Sequence, residues 1–215
     1  MNSRDAATYV NIEIRDVDGE SAKIYGEHLD RMRTVMHGIL RRVNDFRAGV
    51  KARGLQDPVD HCLARIKTDA SIREKCVRRG LAPTTANALF EIKDAIGVRI
   101  VCPFLNDVYL LRKYLVGIDD YEIVLEKDYI RHAKPNGYRS FHMILREKSG
   151  YYAEIQIRTV SMDSWAALEH QLRYKKNPGV NDALIASELK RCADELASTD
   201  VSMQTIRDMI RGDSI

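Results

Sequence analysis

Two carboxylates and a group of cations in the middle of this chain have the types and spacing to handle a metal-bound polyphosphate. In EIQIRT (154–159), period-two alternation sends Ile155 and Ile157 to one face of a strand and Glu154, Gln156 and Arg158 to the other. In IGVRIVCPF (96–104), Val98 and Ile100 oppose Arg99, and Gly97 leaves open space beside that arginine. In LARIK (63–67), Arg65 and Lys67 share a face, and on the helix after it Ser71, Lys75 and Arg78 fall at i, i+4 and i+7. Asp94 stands just before the Arg99 strand. Lysines and arginines hold phosphate oxygens, while two carboxylates, Asp94 and Glu154, hold Mg2+. KPNGY (134–138) adds Lys134, a tight turn and an exposed aromatic, Tyr138, as a platform for stacking a base. In GYRSFHMIL, Phe141, Met143 and Leu145 alternate with Tyr138, Ser140, His142 and Ile144. Each of these residues alone is ordinary solvated surface. Gathered on one polar sheet face, they predict a nucleotide-binding, Mg2+-dependent transferase, with the reaction left open.

The phosphates are not held by either of the common glycine-rich devices. Neither G-x-x-x-x-G-K-[ST] nor G-x-G-x-x-G occurs. The six histidines form no H-E-x-x-H and no closely spaced pair, which argues against a zinc site.

These residues need a sheet to carry them. Leu29, Met32, Met36, Ile39, Val43, Phe46 and Val50 predict a long amphipathic helix, ended by Gly54 and Pro58. Strands are expected at 61–67, 96–104, 121–130, 136–146 and 151–159. Helices are expected at 71–80, 84–93, 108–117 and 161–176, then two more towards the end, one through Ile185, Leu189, Cys192 and Leu196 and one through Met203, Ile206 and Ile210. Ser71 and Glu74 read as a capping box, and Met162, Trp165, Leu168 and Leu172 as core. Residues 1–22 are a loose, flexible arm or a short strand. Residues 23–215 form a single domain with a core at 61–176 between helical flanks, of class α/β (α+β) with a mixed sheet.

Composition agrees with one such domain. A 215-residue chain that is 45% hydrophobic buries a full core without staples. Its net charge of +3 gives no global pull toward nucleic acid or membrane. No apolar run approaches the ~18 residues that span a bilayer. Cys62, Cys76, Cys102 and Cys192 lie far apart in apolar-periodic segments, as reduced thiols of a cytoplasmic protein do.

RIKTDASIREK (65–75), DAIGVRIVC (94–102), DYIRHAKPNGYRSFH (128–142) and AEIQIRTVSMDSWAALEHQLRYK (153–175) together resemble the successive motifs of small alarmone synthetases, the single-domain relatives of the RelA/SpoT synthetase domain. The resemblance spans about residues 25–211. It implies a nucleotidyltransferase-like mixed sheet and transfer of the β,γ-pyrophosphate of ATP to the 3′-hydroxyl of GDP or GTP, giving ppGpp or pppGpp and AMP. By the same resemblance Arg65 and Arg99 sandwich adenine, and Lys67, Ser71, Lys75 and Arg78 hold the ATP phosphates. Asp94 and Glu154 bind Mg2+, and Glu154 takes the proton from the hydroxyl. Tyr138 stacks on guanine, with Lys134, Asn136, His142 and Gln156 on the acceptor. It further implies a homo-oligomer, a tetramer, built on the N- and C-terminal helices. The alternatives are a toxic relative acting on adenosine nucleotides or on the 3′-CCA end of tRNA, for which RYKK (173–176) with Arg191 is the one basic patch, and a non-catalytic nucleotide- or RNA-binding regulator.

Overall fold

The computed structural model describes residues 11–174 and 182–212. Six strands make one mixed sheet: β1 (Ile12–Arg15), β2 (His61–Ile66), β3 (Ile96–Cys102), β4 (Tyr121–Asp128), β5 (Phe141–Glu147) and β6 (Tyr152–Thr159), in the order β1-β2-β3-β6-β5-β4. β1 pairs parallel with β2, and β3 with β6; the other neighbours are antiparallel. The helices are α1 (Leu29–Lys51), α2 (Asp69–Arg78), α3 (Leu105–Val116), α4 (Val160–Tyr174) and α5 (Asp182–Arg211). Among the described residues no helix is long and apolar enough to cross a membrane.

Alternation explains why the sheet has two different sides. Ile96, Val98 and Ile100 of β3, Ile155 and Ile157 of β6, and Met143 and Leu145 of β5 are buried in the core with α1 and α3. Their neighbours Gly97, Arg99, Glu154, Gln156 and His142 face the other way. The apolar stripe of α1 (Met32, Met36, Ile39, Val43, Phe46, Val50) lies in this core, so it is covered within the chain.

Several local expectations change. Of the two readings of residues 1–22, the short strand is present at Ile12–Arg15; it is followed by 3-10 turns over Gly19–His28, kinked at Gly26. Helix α2 starts earlier than expected: Thr68, not Ser71, is the N-cap and accepts from the Ser71 amide at 3.3 Å. Residues Asn87–Glu91 form a π turn. In α4, Met162 and Trp165 are buried as expected, but Leu168 and Leu172 are exposed.

The two C-terminal helices are one. Thr199 and Ser202 donate to carbonyls one turn back, so the polar run at 198–202 continues the helix instead of breaking it. The inward face of α5 is polar. Asp200 accepts from Thr159 at 2.6 Å, Gln204 accepts from the Asn106 amide at 3.0 Å, and Arg207 pairs with Asp107 at 2.7 Å while lying over Phe104. These contacts pin α5 to the ends of β6 and α3.

The buried Asp107–Arg207 pair predicts a stability effect. Asp107→Ala leaves a guanidinium that cannot shed its proton, and breaking such a pair costs about 3–5 kcal/mol. The melting temperature should fall by on the order of 10 °C. A fall of less than about 1 °C in a thermal melt would show that the pair contributes nothing net.

Candidate active site

Strand register sets the polar face in rows. Gly97 of β3 stands between Arg65 of β2 and Glu154 of β6, and Arg99 stands between Leu63 and Gln156, with His142 of β5 beyond it. The space expected beside Arg99 is filled, because the Arg65 stem lies over Gly97. Arg65, Lys67, Gly97, Arg99, Glu154 and Gln156 line one small cleft. A wider cleft of about 440 Å³ is lined by Lys75, Asp94, Tyr129, Lys134, His142 and, again, Glu154. Glu154 therefore stands on the wall between two clefts.

Asp94 is gripped from two sides. Lys67 reaches its Oδ2 at 2.8 Å and its backbone carbonyl at 2.8 Å, and Lys75 bonds the same Oδ2. Burial pushes the Asp94 carboxyl up, but the two ammoniums outweigh it and hold it below the usual carboxylate range. Burial also lowers the Lys67 ammonium, against the pull of Asp94. Asp94 Oδ1 is buried and has no hydrogen-bond partner.

Glu154 Oε1 bonds His142 Nδ1 at 3.3 Å, and its Oε2 accepts from Gln156 at 2.9 Å. Burial raises this carboxyl and the nearby Asp94 adds to that, yet His142 and Gln156 prevail and lower it. It is ionised at neutral pH and ready to accept a proton. An ionised carboxylate only accepts, so His142 Nδ1 carries the hydrogen of that bond. His142 Nε2 lies 2.8 Å from the Tyr138 hydroxyl, and the Tyr138 oxygen accepts from Arg158 at 2.8 Å. Tyr138 is thus joined to Glu154 through one imidazole. The Lys134 ammonium lies 4.7 Å from the Tyr138 ring and 4.6 Å from the Tyr129 ring.

The loop that carries Lys134, Asn136 and Tyr138 is seated on α5. Asn136 shapes it by accepting from the Tyr138 amide at 3.2 Å. Gly137 has φ +90°, and a Cβ there would meet Ala193 Cβ at 2.7 Å. Arg139 donates to the Ala193 carbonyl at 3.2 Å and to Asp194 at 2.9 Å.

Two expected phosphate ligands stand apart from this cluster. Arg78 is exposed and paired with Glu74 at 3.5 Å; Arg79, where the chain leaves helical geometry, lines the wider cleft in its place. Ser71 is exposed at the start of α2, where its hydroxyl accepts from Thr68. Ser140 shares Tyr138's side by alternation but is fully buried and bonds the Ile157 carbonyl. Of the basic patch at 173–176, Lys175 and Lys176 lie outside the described residues, and Arg191 is paired with Glu188 and Glu195. The structure adds Lys93, Lys127 and Tyr129 to the wider cleft, and Arg158 and Asp163 beside Tyr138. Arg158 was legible from its place in EIQIRT; Asp163 carried no signal beyond an acidic residue in a first helical turn.

Residues 64–179 match the sequence profile described as the region found in RelA / SpoT proteins. The chain belongs to the RelA/SpoT family. Among RelA/SpoT relatives, it is 42% identical to the GTP pyrophosphokinase YwaC of Bacillus subtilis over 70% of this chain and 75% of that one. It is 32% identical to the GTP pyrophosphokinase YjbM of the same organism, over 70% and 72%. The small alarmone synthetase 1 of B. subtilis, solved bound to its product pppGpp, superposes with a TM-score of 0.76 at 28% identity over 88% of this chain and 99% of that one. The RelA/SpoT neighbours confirm the nucleotidyltransferase-like mixed sheet expected from the motifs.

Proposed function

We propose that the chain transfers the β,γ-pyrophosphate of ATP to the 3′-hydroxyl of GDP or GTP, giving ppGpp or pppGpp and AMP. The observation that carries this is the position of Glu154 on the wall shared by the two clefts. A single base there meets a donor on one side and an acceptor on the other. Glu154 takes the proton of the 3′-hydroxyl, the oxygen bonds the β-phosphorus, and the bond from the β-phosphorus to the α,β-bridging oxygen breaks, so AMP leaves with that oxygen. Negative charge spreads over the moving group, and Lys67, Lys75, Arg65 and Arg79 are the cations at hand to stabilise it. Arg65 and Arg99 flank adenine, and Ser71 and Arg78 take the outer ATP phosphates.

Asp94 and Glu154 suit Mg2+. Asp94 Oδ1 is a buried anionic oxygen with no partner, and two carboxylates plus phosphate oxygens are the kind of set this hard cation takes. When bound, the ion neutralises charge on the transferred phosphates.

On the acceptor side guanine stacks on Tyr138 in the place of Lys134, whose ammonium then meets the acceptor phosphates. Asn136, His142 and Gln156 supply the remaining polar contacts. The protein acts in the cytoplasm, where its nucleotides are found, as a homo-oligomer, a tetramer. Leu168, Leu172, Met203, Ile206 and Ile210 support assembly, because they leave α4 and α5 with uncovered apolar surface.

The test is a product assay with β-labelled ATP and the acceptor varied among GDP, GTP, ATP and deacylated tRNA. Label should move to the guanosine nucleotides. Label on adenosine or tRNA would replace this reading with one of the alternatives. Tyr138→Ala should raise the acceptor KM about tenfold and leave the ATP KM within twofold, as loss of a base stack of about 1–3 kcal/mol requires. Equal effects on both would mean that the assignment of the two clefts is wrong.

A further inference from the structure

Among the described residues, Asp163 is the anion that lies between two arginines serving opposite sides of the site. Its Oδ1 lies 3.2 Å from Arg99 and 2.9 Å from Arg158. Arg158 is almost fully buried, and its other terminal nitrogen donates to the Tyr138 hydroxyl and, at 2.9 Å, to Gln156. Arg99 lines the donor cleft beside Gly97. Burial and the neighbouring Arg158 both disfavour the charge on Arg99, and Asp163 opposes them. Without this carboxylate, a half-buried and a buried guanidinium would lie close together with no negative charge between them.

The location is built for a carboxylate. Thr159 caps α4 by accepting from the Met162 amide at 3.2 Å, which puts Asp163 in the first turn, where a helix favours negative charge. Its side chain is 17% exposed, and its second oxygen looks toward His61 at 3.8 Å. The Nε groups of both Arg99 and Arg158 are buried without a hydrogen-bond partner, so neither guanidinium is anchored along its inner edge. The terminal nitrogens set where they lie, through Asp163 for both arginines and through Tyr138 and Gln156 as well for Arg158.

We infer that Asp163 is a positioning residue for both substrates at once: it aims Arg99 at the donor and, through Arg158, holds Tyr138 for the acceptor. This rests on the assignment of the two clefts proposed above. It predicts a signature that neither arginine produces alone. Arg99→Ala should weaken the donor only, since Asp163 still holds Arg158. Asp163→Asn keeps the shape, removes the charge and should weaken both.

Equilibrium binding tests this without turnover. The probes are an ATP analogue with a methylene bridge between its α- and β-phosphorus atoms and, in separate titrations, GDP. Asp163→Asn should weaken each by about tenfold, as loss of charge-assisted hydrogen bonds implies, and Asp163→Glu should recover part of both. A thermal melt of each variant sets the folded fraction. If that fraction binds both probes as the wild type does, or loses only one, the role given to Asp163 is overturned. Wild-type protein that binds neither probe would instead overturn the transferase reading itself.

Discussion

Glu154→Gln should lower the rate of pyrophosphate transfer by about 10²–10⁴-fold, the contribution of a positioned general base, and leave the affinity for each nucleotide within a few-fold. The substitution keeps the length of the side chain and removes the site that accepts a proton. In the wild type, both carboxylate oxygens accept, one from His142 and one from Gln156. An amide offers one acceptor and one donor, so one of those two contacts must turn away. The loss should appear in single-turnover kinetics with both nucleotides saturating. A variant that turns over at the wild-type rate would remove Glu154 from the mechanism.

The second large effect lies off the sheet. Gly137→Ala is strained twice, because its φ of +90° disfavours any side chain and the new Cβ would stand 2.7 Å from Ala193 Cβ and 3.2 Å from Lys190 Cα. Overpacking and backbone strain together cost about 2–4 kcal/mol if the loop stays, and the loop can escape that only by lifting from α5. Lifting carries Lys134, Asn136 and Tyr138 away together. The acceptor KM should therefore rise at least tenfold with the ATP KM nearly unchanged, and the melting temperature should drop by about 4–10 °C. Adding Ala193→Gly should restore part of both, since it removes the nearest clash and leaves the strained φ. Unchanged acceptor kinetics in Gly137→Ala would separate the loop seat from the acceptor site.

What the chain discloses by inspection follows the range of the forces involved. Glu154, Gln156, Arg99 and His142 were legible because strand alternation is local and puts them on one side of the sheet whatever else happens. Lys67, Lys75 and Asp94 were legible as a charged group, but not that both ammoniums would close on one carboxylate oxygen. Arg78 lies within α2 as periodicity predicts, exposed and paired with Glu74, while Arg79, where the chain leaves helical geometry, lines the wider cleft. Leu168 and Leu172 continue the stripe begun by Met162 and Trp165, yet among the described residues nothing covers them. The apolar positions through Leu196 and those from Met203 read as two helices; they are one, and Asp200 between them is drawn to Thr159, forty-one positions away, which no local pattern reveals. Asp163 is the same case. Its meaning depends on two arginines from different strands.

Helix α5 seats the Tyr138 loop and is the last element of the described chain. Every strand that lines the small cleft precedes it in the chain. A chain without α5 would therefore keep the strands that line the small cleft but lose the contacts that seat the loop carrying Lys134, Asn136 and Tyr138.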